Sequence, residues 1–390
     1  MRKRICITCI VLLTHLVLTD QTPRAAEEEA GETPTAAEED AGEQLIDPSV
    51  TFPNRKGPVR SRNQFPLNLP FLNFAPENHI LLPAGGILVD VLYSQTNTFA
   101  KTSGIIEGRQ AGQRRRFRES DFDKVIADNP GEDQFFFDLE VSRISSLISF
   151  GISDDALVDI EIPYLFIGGG VWDGPIEPFH DVAGTGQFGR DTFPINRSVF
   201  ALFLDGVKFF RSGFNYSGIG DIVVSFKYYL HRGAGFPPKV SVRAALKLPT
   251  GDPDKLLGSG STDFGLDFSA TVLESRNNSV LVDLGAVYPG DWELVPGLDP
   301  EPIYSAVVSW EFVPSGAPNV SFILQDLVQT PTFGSSTDTE LGEVSHETTA
   351  GLKFGSVEHT VWTFAVTENH TGFDNNVDLH IHVGVLSACC

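Results

Sequence analysis

Apolar and polar residues alternate along most of this chain, and most strictly between Gly218 and Asp252, GIGDIVVSFKYYLHRGAGFPPKVSVRAALKLPTGD. Ile222, Val224, Phe226, Tyr228 and Leu230 fall on one face of a first strand, with Asp221, Ser225 and Lys227 on the other. A Gly/Pro turn follows, and then Val240, Val242, Ala244, Leu246 and Leu248 oppose Ser241, Arg243, Ala245 and Lys247. A period of two with full charges in mid-strand opposite an unbroken apolar row fits a strand with lipid on one side and a wet lumen on the other. The pattern recurs to predict twelve strands, over 85–98, 135–150, 156–166, 219–230, 238–248, 263–275, 279–288, 302–312, 318–328, 346–355, 358–368 and 376–386. In the second, Phe137, Leu139 and Val141 share one parity while Ile144, Ile148 and Phe150 take the other, which predicts a β-bulge near Arg143.

The links between these strands test the pattern independently. Long links (99–134, 167–218, 249–262, 289–301, 329–345) alternate with short ones such as SDDA, SRNN, VPSGAP and GSVE. Outer-membrane barrels place short turns on the periplasmic side and long loops outside, and an even strand number returns both termini to the periplasm. Tyr93, Tyr164, Tyr228, Tyr229, Tyr288, Trp310 and Trp362 sit near strand ends, where aromatic girdles belong. The expected fold is all-β: an antiparallel transmembrane β-barrel of twelve strands at 85–388, in the bacterial outer membrane.

Three segments precede it. Residues 1–26 begin with Arg2, Lys3 and Arg4 and an apolar run from Ile5 to Leu18, the form of a secretory signal peptide. Residues 27–52 are acidic and repetitive, with AAEEEAGE at 25–32 returning as AAEEDAGE at 36–43, and read as disordered. Residues 53–84 are rich in Pro and Asn and form an irregular lead-in. Its Phe65, Leu67, Leu69, Phe71 and Phe74 must pack somewhere, and the residues leave two places open: a plug inside the barrel, or a strap beneath it.

Composition narrows the function. A net charge of −23 argues against nucleic acid. Thirty Phe against one Met, with 37 Gly and 25 Pro, suits strands and turns. The four cysteines, Cys6, Cys9, Cys389 and Cys390, have no metal-ligand spacing, and no metal or cofactor is implied. Gly168-Gly169-Gly170 lacks the Gly-Lys-Ser/Thr of a phosphate loop.

The longest loop crowds Trp172, Asp173, Glu177, His180, Asp181 and Arg190 among glycines, and is the candidate constriction of a channel. His180 with a carboxylate is also the only hint of a membrane-embedded hydrolase, and no Gly-x-Ser-x-Gly accompanies it. Asp159, Glu161, Asp221, Lys227, Arg243, Lys247, Asp267, Asp378, His380 and His382 are the expected lumen charges, with Asp138 and Glu140 beside them. They either interlock and fill the lumen or line a cation-favouring channel. The run Gln113-Arg114-Arg115-Arg116-Phe117-Arg118 in the first external loop is a candidate grip on lipopolysaccharide. The expected partners are outer-membrane lipid, the barrel-insertion machinery and a small solute.

RNQFPLNLPF (62–71), FDLEVSRISSLISFGISDDALVDIEIPYLFIGGGVWDGPIEPFHDVAG (137–184), GIGDIVVSFKYYL (218–230), LKLPTGD (246–252) and FAVTENHTGFDNNVDLHIHVGV (364–385) carry a family likeness. Together they resemble the uncharacterised bacterial outer-membrane proteins catalogued as domain of unknown function 3187, in order over residues 55–386. The G-x-GD strand followed by LKLPTGD is also similar to the outer-membrane barrels of meta-pathway phenol degradation. These resemblances imply an outer-membrane channel for small, partly apolar molecules, and supply no catalytic residue. The chain departs from such barrels in ending SACC, where they end on an aromatic residue. A non-conducting structural or surface-interaction barrel is the alternative.

Overall fold

The computed structural model describes residues 55–184, 186–233, 239–334, 336, 341–369 and 375–389. The expected signal peptide and the whole acidic segment lie outside them, as do Cys6, Cys9 and Cys390. No helix among the described residues is long and apolar enough to cross a membrane.

Twelve antiparallel strands close on themselves. They are β1 (Ile87–Lys101), β2 (Gln134–Ser153), β3 (Ala156–Gly168), β7 (Ile222–His231), β8 (Val240–Leu248), β9 (Asp263–Glu274), β10 (Asn278–Tyr288), β11 (Ile303–Phe312), β12 (Val320–Gln329), β13 (Ser345–Gly355), β14 (Thr360–Asn369) and β15 (Leu379–Cys389). Each pairs with the next, and β15 pairs back to β1 from Asn97↔Leu379 to Ile87↔Cys389, so the wall has no free edge. Closure lets a sheet satisfy its backbone hydrogen bonds inside lipid. The outward row is apolar and exposed: Phe226 and Leu230 on β7, Leu266 and Phe268 on β9, Val308 on β11, Phe364 and Val366 on β14. Tyr93, Tyr164, Tyr228, Tyr288, Trp310 and Trp362 stand on it, while Tyr229 is turned into the lumen. The protein is a transmembrane barrel of the outer membrane.

Three further described strands fall in or at the end of the long 167–218 link. β4 (Val199–Leu204) extends the sheet from the projecting end of β2, β5 (Val207–Ser212) pairs with β4, and β6 (Tyr216–Ile219) caps β3. Asp205 and Gly206 join β4 to β5 with positive φ at both positions, the tight turn that Asp-Gly favours in hairpins. One face of β4 (Phe200, Leu202, Leu204) closes over the external mouth on Trp292, Leu294, Leu298 and Phe333 from the other loops. Its opposite face (Val199, Ala201) packs with Phe99, Phe117, Phe136 and Phe193 and with Phe122 of α1 (Glu119–Asp128).

No bulge occurs near Arg143. The register of β2 against both neighbours is continuous there, and the irregularity falls at Gly151/Ser153. Odd residues of β2 face inward throughout; Arg143, Ser145 and Ser149 meet the polar lumen, whereas Phe137, Leu139 and Val141 meet the apolar roof. The change of pattern is a change of surroundings. By the same parity Asp138 and Glu140 face the outer wall, not the lumen.

Candidate functional site

The lead-in lies inside the barrel, from one end of the lumen to the other and back. Arg55 begins at the periplasmic turns, donating to the carbonyls of Ser275 and Asn277. The Lys56 and Gly57 N–H groups donate to Glu311, and Lys353 Nζ donates to the Lys56 and Pro58 carbonyls at 3.1 and 2.6 Å. The chain then climbs the β12–β15 wall. Val59 N–H donates to Gln325, Ser61 meets Thr349, Asn63 donates to Ser345, and Gln64 Nε2 lies 2.6 Å from His380 Nε2. At the external end it turns over residues 65–71, where Phe65, Leu67, Leu69 and Phe71 join the roof core. It descends along β7–β10 and leaves past Tyr229 and Gly151 to enter β1. The two placements left open by the sequence merge: this is a strap threaded as a plug.

Two ionic knots hold it. On the rising leg, Arg62 contacts Glu161 at 2.7 Å and Arg60 reaches both Glu161 (3.1 Å) and Asp90 (3.5 Å). Arg143 completes that knot from β2 at 3.2 Å. On the falling leg, Glu77 takes Lys227 at 2.6 Å and Arg243 at 3.0 Å, and Arg243 also holds Asp267 at 3.1 Å. Lys247 ties Asp221 (2.8 Å) and Asp263 (3.1 Å) to the Pro70 carbonyl. Charges so buried are tolerable because they are paired and hydrogen-bonded. The wall leaves room for the segment through inward glycines. A Cβ on Gly265 would stand 2.7 Å from Phe74 and 2.8 Å from Leu72, and one on Gly351 would stand 2.8 Å from Val59.

Of the expected lumen charges, Asp159, Glu161, Asp221, Lys227, Arg243, Lys247, Asp267, His380 and His382 face inward, and all but the partly exposed Arg243 are buried. His382 sits 2.9 Å from both Ser94 and Thr367. Asp378 stands apart, at the mouth, where it accepts from Phe99 N–H and Arg190. The midsection keeps voids of about 30 Å³ beside Asp159 and about 20 Å³ beside Pro163, room for about one water molecule each. A larger cavity, about 310 Å³, opens between the two legs at the periplasmic end.

The loop expected to constrict the lumen lies outside it. Trp172 N–H donates to Glu140, on the outer wall. α2 (Asp173–Ala183) follows, and Asp173 accepts from Arg190 at 3.0 Å and from Asn196 N–H at 2.7 Å. The Arg190 guanidinium stacks 4.5 Å over the outward ring of Phe99. Glu177 takes Arg114, Asp181 accepts from Gln187, and the His180 ring meets the edge of Phe188. Partial burial, with Arg190 nearby, holds His180 below the ordinary imidazole value. Glu140, Asp138 and Phe99 project outward above the lipid belt, and the loop is what covers them. Sequence reasoning missed the strap residues Arg60, Arg62 and Glu77; inward glycines opposite their apolar neighbours Val59, Leu72 and Phe74 were the available signal.

Solved structures similar to this chain include the COG4313 outer membrane channel from Pseudomonas putida F1, at 10% identity and TM-score 0.46, covering 80% of this chain and 99% of that one. A NanC porin shares 7% identity at TM-score 0.37, covering 75% and 98%. The P. putida toluene transporter TodX shares 10% at TM-score 0.36, covering 88% and 98%. These likenesses are distant, and the fold rests on the closed sheet itself. No curated protein matches the sequence. A family model matches residues 126–387, and the chain belongs to that family, described as "Protein of unknown function (DUF3187)".

Proposed function

We propose that this barrel is a channel for small, partly apolar solutes, held shut by the strap in the conformation described. The observation that carries the reading is how the strap is attached. Within the lumen it is bound chiefly by ion pairs and hydrogen bonds to a polar wall, bonds that water can replace one for one, and both of its legs leave by the periplasmic end. A segment held in that way can be withdrawn without breaking the wall. Its apolar turn meets the roof, which places an apolar lining at the external entrance.

The alternative is a non-conducting barrel, favoured by the roof that closes over the turn. Planar-bilayer conductance separates the two. Intact protein is expected to be silent or to open briefly, whereas a variant lacking residues 55–84 conducts continuously. A deletion variant that folds, inserts and stays silent would overturn the channel reading and leave the structural one.

A further inference from the structure

We infer that the roof pocket filled by the turn of the strap is the external binding site for an uncharged ring compound, and that such a compound opens the barrel by taking the turn's place. Four rings of the roof form a continuous arc. Phe137 of β2 lies 4.8 Å from Phe200 of β4, Phe200 lies 6.1 Å from Trp292, and Trp292 stacks on Phe333 at 5.9 Å, centroid to centroid. Each ring of the arc meets the next directly, so these contacts do not depend on the strap. The strap adds one ring at each end. Phe65 meets Phe137 edge-on at 5.5 Å, and Phe71 meets Trp292 and Phe333 edge-on at 6.0 and 6.2 Å. Such ring pairs gain more than burial of area alone. Lys247 Nζ, 5.8 Å from the Phe71 ring, is already spent on Asp221 and Asp263. The turn is a guest that presents phenyl rings, and its chemistry specifies what can replace it.

The turn is also built to leave. Its N–H groups are bonded largely within the strap: Asn68 and Leu69 donate to the Phe65 carbonyl at 2.8 and 2.9 Å, and Phe71 donates to the Asn68 carbonyl at 3.2 Å. Phe65 N–H donates to the Asn63 side chain at 2.8 Å. Among the described residues the wall adds Thr332, donating to Asn68 at 2.6 Å, and Lys247, donating to the Pro70 carbonyl at 2.8 Å. Undocking therefore leaves little backbone unpaired, and the ring contact it gives up is restored by another ring. A compound that fits only the vacated pocket shifts the strap toward release by its differential affinity for the two states. Its part as an opening signal rests on the channel reading, but occupation of the pocket is measured without conduction.

The test is hydrogen exchange read by mass spectrometry on the folded protein in lipid nanodiscs, titrated with acetophenone, with phenylacetate and benzylammonium as charged counterparts. Acetophenone is expected to lower protection of peptides covering 63–72 about tenfold and saturably, while peptides from β9–β12 keep theirs and the charged probes change nothing. Phe71→Ala, which removes one internal ring, should lower the half-effect concentration about tenfold; Trp292→Leu, which breaks the arc, should raise it as much. Unchanged protection of 63–72 in both the wild type and Phe71→Ala, an equal response to the charged probes, or a loss shared by β9–β12 would each overturn the inference. If Trp292→Leu fails to fold, Phe71→Ala decides. A turn released by acetophenone with no added conductance in planar bilayers would sink the channel and leave the site. A strap-deleted barrel that conducts, while the intact turn ignores acetophenone, would sink the site and leave the channel.

Discussion

Glu161→Gln tests the rising-leg knot with the least change of shape. In the wild type one carboxylate serves Arg62 at 2.7 Å, Arg60 at 3.1 Å and Arg143 at 3.2 Å, all of them buried or nearly so. Removing one member of a buried pair costs about 3–5 kcal/mol because the partner charge is stranded. Arg60 keeps Asp90 at 3.5 Å and the glutamine keeps one acceptor oxygen, so the lower end applies. At about 1.4 kcal/mol per tenfold, strap release becomes about a hundredfold more frequent. Hydrogen exchange read by mass spectrometry reports this directly. Peptides covering 56–65 are expected to lose protection by about two orders of magnitude, while peptides from β9–β12 keep theirs. Equal protection of the strap in the two proteins would show that the knot does not restrain it. A uniform loss over the whole barrel would show that Glu161 supports the wall and not the strap.

Two other changes probe different contacts. Gly265→Leu places a side chain where Phe74 and Leu72 already lie within 2.8 Å of the Cβ position; overpacking of this kind costs about 1–3 kcal/mol, so exchange should rise over 70–80 and a lowered thermal midpoint should accompany it. If neither moves, the falling leg is not seated as described. Arg190→Ala strands the buried Asp173 and unlocks the outer loop. Chymotrypsin added to intact cells is then expected to cut within 169–198 faster while heat stability of the barrel is kept; loss of the barrel instead would mean that the loop supports the wall.

The barrel was legible because lipid enforces it. Every outward residue of β7 or β9 must be apolar, and the strand pattern therefore survives without any knowledge of partners. The predicted strands fall within a few residues of the observed ones; 263–275 against Asp263–Glu274 is typical. The interior was less legible because its polar rows look alike whether they face water or a strap. Lys227 and Arg243 read as lumen charges, and nothing local shows that their partner is Glu77, 150 residues before Lys227. Above the membrane the alternation rule lapses, since both faces of β2 are covered there. That is why Phe137 and Leu139 suggested a bulge and why Asp138 and Glu140 were put on the wrong side. The β4–β5 hairpin did carry a local signal, Asp205-Gly206 between apolar runs, hidden by its place in a loop.

The course of the strap also constrains how the molecule is assembled. Its first leg, residues 56–64, is joined to side chains on β11–β15, the last strands to leave the ribosome, and through Arg60 and Arg62 to Asp90 on β1 and Glu161 on β3, whereas its second leg is joined to β7–β10. The segment therefore bridges distant parts of the sheet, and sequence separations such as 316 between Gln64 and His380 make those contacts late and slow ones. A chain that closes its seam first has to load the strap afterwards through the periplasmic opening, as a folded-back hairpin. Order of synthesis and order of closure are thus opposed in this protein, and the early segment waits for the last strand.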